Sequence, residues 1–488
     1  MRMRPLWPLV NRYLTLSHRW AGVVLCLLFV VWFVSGAVLH FVGFPSLPVA
    51  ERIAGSTPID LSRLKVAPAE ALAQVAGADS LQLVGIVGRP VYLILSDGGR
   101  TAIAGDTGER LGPISGTEAT AIAAAFAQAR VKQVAGPLDY DQWVVHERFD
   151  SYRPFFRVSL EDPRRTDLYV SARTGEVVQR TRALERRWNW CGAVMHWIFF
   201  TPVRRHWSFW NQLVWGISLS ALLTSVLGTW LGLHRYLKMR AARRGGASPF
   251  RGWLRWHHLI GLFASVVVLG WMASGWLAMD YGRLFSRGGP TAEKSQRVRG
   301  MSLAGVAHAA TLDVLRSVEP GGSVIELNAV AGRPFLTIYG LRTAAPTRVY
   351  WLDTGEQATG PLPQNLLVDG VQRAWAVATS DTEPSSADEL YRLEEALPAD
   401  ALALRAGAGG ELRVYVDRYS GRVLAAMDAS RRAYAWAYYG IHTLNFPGLI
   451  SHPAARTLAV VLLVVGGLGF SITATVLGVR RVRLQFSR

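Results

Sequence analysis

Four apolar runs punctuate the chain, at residues 20–41, 213–233, 259–279 and 457–479. Each is close to the roughly 20 residues a helix needs to cross a bilayer, and none contains Asp, Glu, Lys or Arg. The long stretches between the first and second runs, and between the third and fourth, have a different texture. There apolar and polar residues alternate in short runs broken at Gly-containing turns, which is how hairpins read. Residues 67–78 predict a short helix, 91–96 a strand, and 100–103 a strand leading into the turn Asp106-Thr-Gly-Glu109. A second unit follows, with a helix near 118–130, strands near 155–160 and 167–170, and a turn at Thr174-Gly-Glu176. The later stretch predicts a helix at 303–315, a strand at 334–339, a turn at Asp353-Thr-Gly-Glu356, a strand at 413–416 and a turn at Ser420-Gly-Arg422. Each stretch is therefore expected to hold a pair of small helix-plus-hairpin units.

The apolar runs repeat in detail. His18-Arg-Trp-Ala-Gly22 opens the first and His257-His-Leu-Ile-Gly261 opens the third, 239 residues later; Ser35-Gly36 and Ser274-Gly275 keep that spacing. His196 and His206 match His442 and His452 at a spacing of 246, as do Asp167-Leu-Tyr-Val and Arg413-Val-Tyr-Val. The chain therefore reads as an internal duplication.

Charge orients the runs. The net charge of +18 invites a nucleic-acid partner, but its distribution argues against one. Fifteen basic residues and no acid occupy the N-terminal tail, the link at 235–255 and the C-terminus. That is the positive-inside pattern. It places both termini and the link in the cytoplasm and the two long stretches, about 44–210 and 282–455, on the outer side. The first run is too long for a signal-peptide core and reads as a retained anchor. Cys26 and Cys191 are the only cysteines, which excludes an all-cysteine iron–sulfur cluster. Cys26 lies inside the first run, so no disulfide between them is expected.

The expected organisation is a membrane α-helical protein of four transmembrane helices with two periplasmic α+β domains. Its parts are a cytoplasmic tail and first helix (1–43), outer domain 1 (44–187), a re-entrant segment and second helix (188–234), and a cytoplasmic link (235–255). The third helix (256–281), outer domain 2 (282–432), a re-entrant segment and fourth helix (433–479) and a cytoplasmic tail (480–488) follow.

Histidine against a bilayer is costly, so a repeated one points to a function. His18, His234, His257 and His258 fall on the cytoplasmic side, and His40, His196, His206, His442 and His452 on the outer side. Two clusters at two depths suit two b-type haems, with imidazole ligands from facing helices. The duplication pairs His18 with His257 and His196 with His442. His40, His234 and His258 break the symmetry and stand as further candidate ligands. His18 and His40 lie 22 residues apart on nearly one helix face, about 33 Å along it, too far to share one group. His206 and His452 suit caps near the headgroups, while His146 and His308 read as ordinary surface residues. Glycines at 22, 36, 228, 261, 275, 466, 467 and 469 would let a flat macrocycle approach, and equally suit close helix packing. Arg19, Arg204, Arg205 and Arg255 are candidate partners for propionates. The tryptophans at 188, 190, 197, 207, 210 and 215 suit an interfacial belt. No phosphate-binding loop, Gly-x-Gly-x-x-Gly or His-Glu-x-x-His motif is present.

The opening His18-Arg-Trp-Ala-Gly22, the Thr/Ser-Gly turns beside Tyr-Val strands, and His442-Thr-Leu-Asn-Phe-Pro447 before the last run carry a resemblance. The chain resembles the PepSY-associated transmembrane proteins of bacterial inner membranes, and within them the ferric-siderophore reductases. The resemblance covers nearly the whole chain. It implies PepSY-like outer domains and a four-helix conduit with two b haems. Such a conduit would carry electrons from a quinol or another membrane donor to a ferric siderophore or other iron(III) chelate in the periplasm. Reduction loosens a hard-oxygen chelate because iron(II) prefers softer ligands. Two other readings stand beside it: a sensory or regulatory membrane protein without redox activity, and a siderophore-uptake component.

Overall fold

The computed structural model describes residues 7–242, 245–341, 347–377, 379–381, 386–407 and 411–487. The basic residues Arg2, Arg4, Arg243, Arg244 and Arg488 fall outside that set. Four helices are long and apolar enough to cross a membrane: α1 (Trp7–Phe41), α2 (Trp207–Ala241), α3 (Gly252–Ala278) and α4 (Pro453–Phe486). They outrun the apolar runs, and α2 and α4 do so through basic last turns, which suit a helix C-terminus.

The bundle closes in a ring, α1 on α2, α2 on α3, α3 on α4 and α4 on α1. Phe29, Phe33, Ala221, Ala264, Val268 and Met272 fill its middle. Glycines set the close approaches: Gly467 of α4 faces the Phe33 ring, and a Cβ at Gly478 would stand 3.3 Å from Cys26 Sγ. The outward side stays apolar, with Phe263 and Val266 89% and 79% exposed. An exposed apolar belt of this kind is what lipid requires. Cys26 is buried, Cys191 is exposed, and both are free.

The outer stretches build three antiparallel sheets. Strands β1 (Ala78–Ile86), β2 (Arg89–Ser96) and β3 (Gly99–Ala104) form the first unit of the first stretch. Strands β4 (Val131–Leu138), β5 (Phe155–Leu160), β6 (Asp167–Ser171) and β7 (Val177–Thr181) form its second. In the second stretch, β8 (Val324–Val330), β9 (Arg333–Tyr339) and β10 (Thr347–Trp351) are followed by β11 (Thr379–Asp381), β12 (Leu402–Ala406), β13 (Leu412–Val416) and β14 (Val423–Met427). The first units do not stand alone. β1 pairs with β8, Leu81 opposite Leu327 through Val84 opposite Val324. This makes one six-stranded sheet in the order β10-β9-β8-β1-β2-β3. Leu81, Leu83, Ile94, Ile325, Leu327 and Ile338 form a common core under helix Leu303–Ala309.

Three local expectations change. The helix expected over 67–78 is only Pro68–Leu72, because the chain from Ala78 is drawn into β1. The helix expected over 303–315 is two, Leu303–Ala309 and Leu312–Ser317, since the Thr311 hydroxyl accepts from Val314 N–H and caps a new start. The helix expected near 118–130 is Gly116–Ala127, opened by a Ser115–Glu118 capping box.

Candidate functional site

Each outer stretch returns to the bundle through a bent segment that carries a histidine inward. In the first, helix Ala183–Cys191 breaks at Gly192 and a single turn, Ala193–His196, follows. In the second, helix Ala429–Ala435 widens into a π-helical stretch, Trp436–His442. Such widened turns often mark functional positions. The two rings meet, with His196 and His442 centroids 6.2 Å apart. At the other end of the bundle the His18 and His257 rings stand 6.5 Å apart. Two metal–nitrogen bonds of about 2 Å each, plus the ring radii, put imidazoles on opposite sides of one metal about 6 Å apart. Between the two levels, His18 and Ser35 are separated by 17 residues of α1, roughly 25 Å.

All four rings are oriented alike. Ser35 Oγ donates to the Val31 carbonyl at 2.6 Å, so it accepts from His196 Nδ1–H at 3.0 Å. Ser274 Oγ donates to the Trp271 carbonyl and stands 3.1 Å from His442 Nδ1. Thr473 Oγ1 donates to the Phe470 carbonyl at 2.6 Å and accepts from His257 Nδ1–H at 3.1 Å. His18 Nδ1–H donates to the Thr224 carbonyl at 3.1 Å. Each Nδ1 therefore holds the proton, and each Nε2 lone pair remains for a ligand. A hydrogen bond on one ring nitrogen fixes the tautomer in this way at metal sites.

Glycines make room for the rings. A Cβ on Gly36 would lie 3.3 Å from His196 Cε1, one on Gly275 3.1 Å from His442 Cε1, and one on Gly228 2.6 Å from His18 Cε1. The Trp-x-x-Ser-Gly motif that supplies the outer seats stands twice, at Trp32–Gly36 and Trp271–Gly275. The inner pair lines a cavity of about 490 Å³, within the roughly 300–1,000 Å³ of cofactor sites. Arg19, Arg235, Arg480 and Arg481 ring that cavity. Phe470 stacks on His257 at 5.0 Å. Among the described residues no three His, Cys, Asp or Glu converge. The donor set is thus two imidazoles per level, which fits a group that brings its own equatorial nitrogens.

Of the other candidate histidines, His258 lines the same cavity as His18 and His257, whereas His40 and His234 are not in its lining. His40 Nε2 bonds Thr457 Oγ1 at 3.0 Å. His258 Nε2 donates to the Gly232 carbonyl at 3.0 Å, leaving Nδ1 buried without a partner. His234 stacks on Trp230 and meets Trp7 edge-on, with its Nε2 buried and unpartnered. His206 Nε2 accepts from Arg205 Nε, and His452 Nδ1 sits 2.6 Å from the Gly448 carbonyl.

Of the arginines expected at a propionate, Arg19 lines the inner cavity and Arg255 is exposed. Arg204 instead sits 2% exposed against Phe199, Trp207 and Trp210, 3.9 Å from Glu147. His146 is a half-buried cap rather than a surface residue, its Nδ1 accepting from Arg148 N–H at 3.0 Å. Burial, and then the Arg204 charge, push its pKa down to about 4. His308 is exposed.

The matching residues, the four apolar helices and the outer sheets define a membrane protein with appended α+β units. The family model for the PepSY-associated TM region matches residues 15–313, and the chain belongs to that family. No curated protein and no solved structure matches it.

Proposed function

We propose that this protein is an internally duplicated bacterial inner-membrane electron carrier that holds two b-type haems. In this reading it delivers electrons to an iron(III) chelate, such as a ferric siderophore, in the periplasm. Both termini lie in the cytoplasm and the sheets lie outside. One observation carries the reading: two histidine pairs, one at each end of the bundle, share a ring spacing and a tautomer suited to axial ligation.

When bound, haem supplies one-electron chemistry at an iron whose potential its axial ligands and surroundings tune. The chain does the rest. His18 with His257, and His196 with His442, would hold the two irons. Ser35, Ser274, Thr473 and the Thr224 carbonyl keep the Nδ1 protons and hence the ring planes. Arg19, Arg235, Arg480 and Arg481 place positive charge where propionates would lie at the inner level. The Phe29–Phe33–Met272 core excludes water between the levels. The link at 235–255 is too short for a flavin or nicotinamide domain, so in this reading the donor is a quinol or a separate protein. The reduced chelate then holds its metal less tightly.

Pyridine-haemochrome measurement on the purified chain tests this. Two b haems are expected, one lost from His18→Ala or His257→Ala and the other from His196→Ala or His442→Ala. A colourless chain made with ample haem would leave the helices as anchors for a sensory module.

A further inference from the structure

The outer module contains a second cavity, of about 510 Å³, with none of the paired histidines in its lining. It opens along the β1–β8 seam and is closed by helix Val49–Gly55, helix Gly116–Ala127 and the two turns after β6 and β13. Ile53, Val84, Ile122, Phe126 and Val324 give it an apolar wall. Its polar residues fall at corresponding places in the two halves. Gln82 and Glu326 are 244 apart and face each other across the seam, while Glu176 and Arg422 are 246 apart in the two turns. At both places the halves differ in charge.

The acids are already engaged. Glu176 takes the Thr174 hydroxyl at 3.0 Å and Arg100 at 3.7 Å. Asp417 Oδ1 accepts the Tyr419 and Ser420 N–H groups at 2.9 and 2.7 Å. Glu326 is 7% exposed, burial raises its pKa, and it faces Arg422 at 3.5 Å. The cations are engaged less fully, Arg100 reaching Glu176 only at 3.7 Å. Arg100 is held over the Tyr152 ring with its Nε buried and unbonded. Arg422 has only a 3.5 Å contact with Glu326 and a side chain 56% exposed. Among the described residues Arg52 has no acidic partner. An arginine presents five donors and no acceptor, so Arg52, Arg100 and Arg422 keep donors beyond those the acids take.

We propose that this cavity binds an organic anion, a carboxylate on an apolar body, gripped by Arg52 of the helix Val49–Gly55 and Arg100 of β3. The volume suits a molecule of metabolite size rather than a bare ion. A ligand here touches both halves at once and so braces β1 against β8. The site is independent of the haem reading, and haem content does not bear on it.

Titration of the full chain in nanodiscs with 4-phenylbutyrate, 4-phenylbutan-1-ol and 4-phenylbutylamine, followed by saturation-transfer NMR, tests the proposal. The carboxylate is expected to bind at least about tenfold more tightly than the alcohol or the amine. Arg52→Gln and Arg100→Gln should each remove about that preference, and Arg52→Lys should retain part of it. Glu326→Gln should leave carboxylate binding intact. Arg52 lies half-buried on a short helix, so its variant carries the test even where Arg100→Gln fails to fold. Equal binding of the three probes, preference for the amine, absence of binding, or indifference to Arg52→Gln would each overturn the assignment. Oleate doped into the nanodisc and outcompeting 4-phenylbutyrate would assign the anion to the lipid phase; the reverse order would assign it to the periplasm.

Discussion

The nitrogen a histidine leaves for a metal depends on what its other nitrogen touches. Here one serine per outer ring makes that choice, and its own proton is already committed to the turn behind it. On the proposed haem reading, Ser35→Ala or Ser274→Ala is expected to weaken haem retention at the outer level about 10–100-fold, as loss of such an outer partner does. Competitive haem transfer measures this, and the Thr variants should restore much of it. His146 offers a pH test on the same principle. Its folded pKa of about 4 lies below the ordinary 6.5, so between those values the unfolded chain holds a proton that the folded chain lacks. Stability from this group is thus complete above about pH 6.5 and lost as pH falls toward 4. In thermal melts His146→Asn, which can still cap, should flatten that part of the profile. At this scale the meeting of His18 with His257 and of His196 with His442 was legible from the repeat spacing. The hydroxyl partners were half legible: Ser-Gly stands twice, yet its role arises only when Ser35 meets a residue 161 positions away. His146 was not legible, because its burial comes from Arg204 and Phe199 in the returning segment.

Among elements, the seam between β1 and β8 decides how the outer module holds together. Leu83 is fully buried there, opposite Ile325. Leu83→Ala should cost about 2–5 kcal/mol of outer-module stability, read as faster amide exchange in β1 and β8 with the four helices unchanged. Glu326 belongs to the same seam. Its raised pKa means that, above the usual Glu range, the folded chain keeps a proton that the unfolded chain has released, so stability falls as pH rises through that window. Arg422 opposes this shift and Asp417 adds to it. Glu326→Gln is expected to raise the melting temperature at pH 7–8 and to change it little near pH 4. The hairpin β2–β3 and the strands β5, β6, β9 and β13 were legible because turn chemistry and alternation are local. β1 and β8 were not. The Ala-Asp-Ser start of β1 blurs its alternation, and what makes the two segments strands is each other, across 240 to 246 residues.

For the whole molecule, the basic flanks and the two cysteines give a direct check of orientation. Cys191 is exposed beside the outer histidine level and Cys26 is buried in the bundle. A membrane-impermeant maleimide applied to intact spheroplasts should label Cys191 and spare Cys26, and labelling only after lysis would invert the proposed topology. The apolar stretch of each of the four helices was legible, because lipid demands an unbroken apolar run, but their polar extensions were not. The ring that joins them, and the fusion of two outer units into one sheet, were not written in any local pattern.

That fusion also sets a schedule for biogenesis. From the last residue of β1 to the first of β8 the ribosome must add more than two hundred residues, roughly 10–50 s at 5–20 residues per second. Throughout that delay β1 waits with an unsatisfied edge, the kind of surface that recruits stray strands. Two polypeptides cut within the basic link between α2 and α3, made together in one cell, would have to find each other through that edge, and neither should accumulate without the other.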